Sequence, residues 1–138
     1  RSRADRSPQS QESQAQLLSQ SSEEYSLSAE EVSSLEHAAY ICAFPGRKEL
    51  LEMFAEAGKN NLSYGWRGMR SSRYTYVVDR GYFPENNSAT RLLYDLVEDP
   101  YQLNPIRLKS AFEHPVAEKL EEQLKQYLVQ TNDPFVLD

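Results

Sequence analysis

The stretch from Trp66 to Leu96 constrains the fold most, because it is dense in aromatic and β-branched residues. Within it, Tyr74, Tyr76 and Val78 alternate with residues that would face the other way, and a period of two indicates a half-buried strand. We predict three strands, at about residues 66 to 71, 73 to 79 and 90 to 96. The third is read as the return strand, so we expect a small antiparallel sheet.

Helical patterns precede these strands. Ser28 and Glu31 form an S-x-x-E capping box, which predicts a helix from about residue 29 to 43. The run "RKELLEMFAEAGKNN" carries an apolar face, and Gly58 is suited to the position just past a helix end. We therefore expect two helices before the sheet.

A turn and the clearest helix of the chain follow the strands. Asp99 can cap the amides of a short helical turn begun by Pro100, and Leu103 and Ile106 would pin that turn to the sheet. Pro115 opens the last helix. Its apolar stripe consists of Val116, Leu120, Leu124, Tyr127 and Leu128, and its other face mainly of Glu118, Glu121, Glu122 and Lys125. The sequence thus predicts an α+β fold, with the small antiparallel sheet packed against a C-terminal amphipathic helix.

Composition divides the chain into three parts. Residues 1–28 contain nine serines and five glutamines, which favours a disordered tail or linker over a docking or phosphorylation segment. We expect residues 29–61 to be a helical segment and residues 62–138 to be the α+β subdomain. Because the chain begins with Arg1 and not methionine, we expect a fragment of a longer protein.

The charge of the chain argues against one class of partner, and its hydropathy against another. The formal net charge is -6, whereas nucleic-acid-binding domains are usually basic. No apolar run approaches the length that spans a bilayer, and no signal peptide is visible. We expect neither a nucleic-acid partner nor a membrane partner.

Residues with catalytic or metal-binding chemistry are sparse. Cys42 is the single cysteine, and His37 and His114 are the two histidines, so no disulfide, thiolate zinc cluster or triad is recognisable. Asp95 and Asp99 are four residues apart but border a strand and a turn. We therefore predict no catalytic, cofactor-binding or metal-ligating residue in this chain.

Two ordered motifs stand in the strand region. "WRGMRSSRYTYVV" fits the pattern R-G-x-R-[ST]-x-[RK]-[YW]-x-Y, and "LLYDLVEDPYQLN" fits L-Y-D-L-x-x-D-P-x-[EQ]-x-N. With the amphipathic helix and "TNDP" after them, they resemble the C-terminal end of the sulfatase family, within the alkaline phosphatase-like superfamily. The matched positions are Arg67, Gly68, Arg70, Ser71, Arg73, Tyr74 and Tyr76, then Leu93, Tyr94, Asp95, Leu96, Asp99, Pro100, Gln102 and Asn104. The resemblance covers about residues 62 to 134, departs at Pro105, and does not extend to residues 1–61.

The resemblance implies a parent enzyme that hydrolyses sulfate esters. Such enzymes use a formylglycine made from Cys or Ser in C/S-x-P-x-R, beside a divalent cation, calcium or magnesium. Both would belong to a sulfatase catalytic domain, which would be the partner of this chain in cis or as a separate chain. The sulfated substrate would contact this chain only through that parent enzyme. Members are often exported, but the sequence assigns no location. The implied role is structural and cleft-shaping, and the alternative is a non-catalytic interaction module derived from a sulfatase.

Cys42 does not fit the formylglycine motif. In "CAFPGR", Pro45 and Arg47 each lie one position farther from the cysteine than C-x-P-x-R requires. We therefore interpret Cys42 as a semi-buried thiol near the end of a helix.

Four arginines form a local basic patch in this acidic chain: Arg67, Arg70, Arg73 and Arg80. One interpretation is the steering of an anionic, sulfated substrate. The other, which we favour, is ion pairing, either solvated or between domains, since arginine binds carboxylates through two parallel hydrogen bonds.

Overall fold

The computed structural model describes residues 27–138, so nearly all of the predicted disordered tail at residues 1–28 lies outside the described residues. The elements in chain order are α1 (Ala29–Glu36), β1 (Ala39–Ala43), α2 (Lys48–Ala57), β2 (Trp66–Arg70), β3 (Tyr74–Asp79), β4 (Thr90–Asp95), β5 (Ile106–Leu108) and α3 (Pro115–Gln130). This arrangement confirms the α+β fold. Among residues 27–138, none of the helices combines the length and the apolar character that crossing a bilayer demands.

The five strands form one antiparallel sheet in the order β1-β2-β3-β4-β5, so every strand pairs with its neighbours in sequence. The three predicted strands are confirmed to within about a residue as β2, β3 and β4. One row of paired residues runs across the sheet through Tyr40, Met69, Tyr76, Leu93 and Ile106. Directly paired residues share a face, so this row marks the face on which the core forms.

Helix α3 packs on that face. Tyr76, Leu93, Leu120 and Leu124 are fully buried in one cluster, which confirms the predicted apolar stripe of the helix. Tyr127, at the edge of the stripe, stays partly exposed and stacks on another ring, that of Tyr40 in β1, with the centroids 4.0 Å apart. The helix therefore covers the sheet from β1 to β4.

The predicted helix from residue 29 to 43 is wrong in its second half. The capping box forms, with Ser28 N–H donating to Glu31 Oε1 and Glu31 N–H donating to Ser28 Oγ, both at 3.1 Å. The helix ends at Glu36, and residues 39–43 pair with β2. Periodicity cannot assign a short apolar run to helix or strand, and here the ladder to β2 decides. The segment 29–61 thus supplies the edge strand of the sheet.

The turn after β4 is capped as predicted but not pinned as predicted. The carboxylate of Asp99 accepts hydrogen bonds from the N–H groups of Leu103, at 2.9 Å, and Asn104, at 2.8 Å. However, the side chain of Leu103 is 73% exposed and does not anchor the turn. Ile106 begins β5, a strand too short for its period to be recognised in the sequence.

Candidate functional site: an arginine framework and an open sheet face

Arg67, from the basic patch, is buried to 1% exposure on the helix side of β2. Its guanidinium binds the carboxylate of Asp133 through two hydrogen bonds, of 2.9 and 3.1 Å. The remaining N–H groups donate to backbone carbonyls, including that of Tyr64 at 3.1 Å, and the ring of Phe135 lies 4.6 Å from the guanidinium carbon. A buried charge needs such complete pairing, so Arg67 is committed to the fold.

Residues 131–138, the C-terminal strap, run back along the sheet and are held by arginines from it. Besides the pair between Arg67 and Asp133, Arg80 donates to the backbone oxygen of Asp138 at 2.8 Å, and Arg91 donates to that of Leu137. The hydroxyl of Tyr40 also donates to Asp133, at 3.2 Å. The strap therefore closes the edge of the core beside α3.

Arg73 pairs with Asp95 at the end of the β3–β4 hairpin. The two side chains are joined by hydrogen bonds of 3.0 and 2.9 Å. The hydrogen bonds from Arg73 hold the pKa of Asp95 below its ordinary value, against the opposing effect of burial. Arg73 of the first motif thus binds Asp95 of the second, because β3 and β4 are neighbours.

The sequence predicts that Glu121 lies on the face of α3 opposite the apolar stripe, and this prediction is wrong. Its carboxylate accepts from Arg91 at 2.8 Å and from the hydroxyl of Tyr76 at 2.6 Å, beneath the helix. Burial, followed by the hydrogen bond to Glu121, raises the pKa of Tyr76. Glu121 lies where the stripe meets the polar face, and the sequence does not show that an arginine lies opposite.

The structure divides the basic patch. Arg67 and Arg73 form ion pairs, and Arg80 binds the strap. Arg70 is exposed, and within residues 27–138 no carboxylate pairs with it. Pairing therefore accounts for two of the four arginines, but both pairs lie within this chain, and that of Arg67 is buried and not solvated.

Cys42 is exposed and lies on strand β1, so its placement as a semi-buried thiol at a helix end is wrong. The reason is the same ladder to β2 that replaces the second half of the predicted helix. Within the part of the chain that the structure describes, no three His, Cys, Asp or Glu side chains are grouped as metal ligands. His114 caps α3, its Nδ1 accepting from the N–H of Val116 at 3.2 Å.

The face of the sheet opposite α3, here called the open face, carries a groove of about 590 Å³. It is lined by Ile41, Trp66, Arg70, Thr75, Val77, Asp79, Leu92, Tyr94, Tyr101 and Gln102. All but the last two belong to strands β1 to β4, and no helix of residues 27–138 contributes to the lining. The groove is thus a surface of the sheet itself.

Thr75 lies in this groove between Arg70 and Tyr94, its partners on the two neighbouring strands. Its side chain is 4% exposed, and its hydroxyl has no hydrogen-bond partner among the described residues. Buried hydroxyls are nearly always paired, so leaving this one unpaired costs the fold some stability.

No protein-family model matches this chain, and no curated protein matches it.

Sequence reasoning did not identify Asp133 as the partner of Arg67, or the groove on the open face. Asp133 lies 66 residues from Arg67, so no local spacing connects them. The segment "TNDP", which contains Asp133, was the only sign of this partner in the sequence. Thr75 and Val77 gave a weak signal of the groove. They alternate with the residues of β3 that face the core, so they lie on the other face of the sheet.

Proposed function

We propose that this chain is the C-terminal subdomain of a sulfatase-like sulfuric ester hydrolase, with a structural and cleft-shaping role and without the catalytic centre. The observation that supports the proposal is that several residues of its two motifs bind one another, Asp133 or the backbone. Motif residues that make specific contacts in the fold argue that the match to the family pattern is not a chance match.

Three positions of the first motif are accounted for by their contacts. Arg67 needs a guanidinium for its paired hydrogen bonds to Asp133. Gly68 needs to be glycine, because a Cβ there would lie 2.4 Å from the carbonyl oxygen of Tyr76 on the next strand. Ser71 accepts the N–H of Tyr74 at 2.9 Å and so shapes the hairpin turn.

Two positions of the second motif are accounted for in the same way. Asp95 ends β4 and binds Arg73 of the first motif, at 2.9 Å. Asp99 caps the amides of the following turn through both of its oxygens.

The catalytic chemistry would come from a sulfatase catalytic domain, in cis or as a separate chain. That domain would supply the formylglycine and the calcium or magnesium ion, and would bind the sulfated substrate. This subdomain would support the wall of the cleft through its rigid sheet.

The gene tests the proposal first. An open reading frame with C/S-x-P-x-R and clustered aspartates upstream of Arg1 is expected, whereas a frame that begins near residue 1 would favour the interaction module.

The purified chain should not hydrolyse 4-nitrophenyl sulfate, and turnover abolished by Cys42→Ala would overturn the proposal. In the full gene product, Arg67→Ala should lower activity together with stability, with the exposed Arg47→Ala as the matched control.

A further inference from the structure

We propose that the outer edge of strand β1 pairs with the same edge of a second copy of this chain, antiparallel, so that one sheet runs across both copies. This inference does not depend on the proposed function. It rests on the hydrogen-bonding groups, the composition and the charges at this edge of the sheet.

The hydrogen bonds of the β2–β3 hairpin determine which backbone groups of β1 point outward. The N–H of Ser71 donates to the carbonyl of Tyr74, and the N–H of Arg80 donates to that of Gly65, each at 2.8 Å. Successive residues of a central antiparallel strand bond its two neighbours in turn. The odd-numbered residues of β2 therefore bond β3, and the even-numbered residues bond β1.

Tyr40 and Cys42 carry the outward groups of β1. The even-numbered residues of β2 pair with Ala39, Ile41 and Ala43, so the two residues between these direct their N–H and C=O groups away from β2. No strand of residues 27–138 lies on that side, and no backbone group in that range binds them from outside the ladder. A row of unpaired N–H and C=O groups is a template for another strand.

Strand β1 lacks the features that normally protect a sheet edge. Its sequence, AYICA, contains no charge and no proline, and its register with β2 is continuous, without a bulge. The opposite edge strand, β5, has only three residues, contains Arg107 and directly follows Pro105. The described fold thus protects one edge of the sheet and leaves the other able to pair.

The outward groups of β1 are complementary to themselves. About a twofold axis at Ile41, Tyr40 of each copy lies opposite Cys42 of the other, and both residues carry outward groups. Each such pair would therefore exchange two backbone hydrogen bonds. An interface of this kind uses the same surface on both copies, which is the commonest symmetry of protein dimers.

The charges beside β1 complement one another in the same arrangement. Glu36 precedes the strand and Lys48 follows it, both are exposed, and neither forms an ion pair among residues 27–138. Arg47, by contrast, faces Glu49 at 4.0 Å. Antiparallel pairing brings the beginning of each β1 beside the end of the other, so Glu36 of each copy lies at the same end of the interface as Lys48 of the other. Parallel pairing would bring like charges together instead.

The edge is held firmly but is small. The ring of Tyr40 stacks on that of Tyr127, with the centroids 4.0 Å apart, and its hydroxyl donates to Asp133. The strand has only five residues. Because such a pair buries less surface than a stable dimer does, we expect a reversible dimer with a Kd on the order of 100 μM.

Cys42 is the single cysteine of the chain and lies beside the proposed axis, so it reports on the pairing. The two Cys42 side chains would be diagonal neighbours, and a bis-maleimide that spans about 8 Å should join two chains. In sedimentation equilibrium of the full chain between about 10 μM and 1 mM, we expect the mass to rise from 15.9 kDa toward twice that value.

Two matched variants test the edge. Ile41→Lys places like charges directly opposite each other at the axis and should weaken association about tenfold or more. Ile106→Lys makes the same change at an exposed position of β5, the other edge strand, and should associate as the wild type does. Circular dichroism would verify that both variants fold. A mass that stays at that of one chain up to about 1 mM, or equal association of Ile41→Lys and the wild type, would overturn the inference.

A charge reversal tests the antiparallel arrangement. Lys48→Glu should weaken association about threefold, and adding Glu36→Lys should restore it. A double variant that associates no better than Lys48→Glu would overturn this arrangement. Protection of the Tyr40 and Cys42 amides from hydrogen exchange in dilute, single chains would overturn the inference as well, because another segment of the same chain would then cover the edge.

Discussion

The two carboxylate oxygens of Asp133 each accept one hydrogen bond from the side chain of Arg67, at 2.9 and 3.1 Å, across 66 residues of sequence. Arg67 comes from the second strand of the sheet, and Asp133 comes from the strap that follows the last helix. The pair thus joins the beginning of the first motif to the segment that ends the resemblance.

Removing one partner of this pair should destabilise the protein strongly. Asp133→Ala leaves a buried guanidinium without its carboxylate, and we expect the free energy of unfolding to fall by about 3 to 5 kcal/mol. Glu49→Ala is the control, because its pair with Arg47 is exposed and 4.0 Å long, and should change stability by less than about 1 kcal/mol. Urea denaturation measures both, and similar losses would contradict the role given to Arg67.

Acid should weaken the ion pairs of Arg67 and Arg73 in a defined pH range. Burial raises the pKa of Asp133, but the hydrogen bond and charge of Arg67, with the hydrogen bonds from the N–H of Phe135 and the hydroxyl of Tyr40, together outweigh burial and leave the pKa below its ordinary value. Hydrogen bonds from Arg73 likewise lower the pKa of Asp95. A carboxylate with a lowered folded-state pKa contributes fully above its unfolded value, about 3.9, and loses that contribution as the pH falls through the folded value. Asp95→Asn should therefore lose less stability than the wild type below about pH 4, and parallel curves in urea titrations would argue against the pair.

His114 should make the start of α3 sensitive to mild acid. Its Nδ1 accepts the N–H of Val116, which only the neutral imidazole can do, and burial lowers the pKa of His114. The contribution of the neutral form is complete above the unfolded value of about 6.5 and is lost as the pH falls. His114→Asn keeps a capping oxygen that does not titrate in this range. Relative to this variant, the wild type should lose about 1 kcal/mol between about pH 7.5 and pH 5 in urea denaturation, and parallel curves would contradict the cap.

The orientation of α3 can be tested by substituting two residues of the same helical turn that lie on opposite sides of the helix. Leu124→Ala should lower the free energy of unfolding by about 2 to 5 kcal/mol, because Leu124 is fully buried against the sheet. Glu122→Ala, at an exposed position, should change it by less than about 0.5 kcal/mol. Equal urea midpoints would mean that the helix does not pack through its apolar stripe.

Thr75→Val should stabilise the isolated chain. The change replaces the unpaired buried hydroxyl with a methyl group of the same shape, and we expect a gain of about 1 kcal/mol. Thr90→Val, at an exposed position of β4, is the control and should be nearly neutral. A loss of stability in Thr75→Val would show that the hydroxyl already has a partner.

Much of the fold follows from the sequence because its signals are local. The alternation of β3, the stripe of α3 and the capping box of α1 each involve residues within a few positions of one another, and each prediction is confirmed. Strand β1 was read as helix because "AYICA" is apolar and short, and its conformation is fixed by pairing with β2 beyond a helix and a loop.

The candidate site was less accessible to sequence reasoning, because its contacts are distant in the chain. Arg67 could be recognised as part of a basic patch, but its burial depends on Asp133 and on backbone carbonyls. Arg70 and Arg73 look equivalent in the sequence. The hairpin turn places Arg73 beside Asp95, whereas the alternation of β2 directs Arg70 to the open face.

The strap has a consequence for biosynthesis. Because every strand pairs with its neighbours in sequence, the sheet can begin to assemble while the chain is still being made. Arg67, however, has no carboxylate partner until Asp133 has left the ribosome. Until then the nascent sheet holds an uncompensated cation, and its core also lacks α3. We therefore expect this unit to complete its folding only once Asp133 has left the ribosome. A premature stop codon just before Asp133 should yield a product that is removed by proteolysis although the strands and helices described here are encoded.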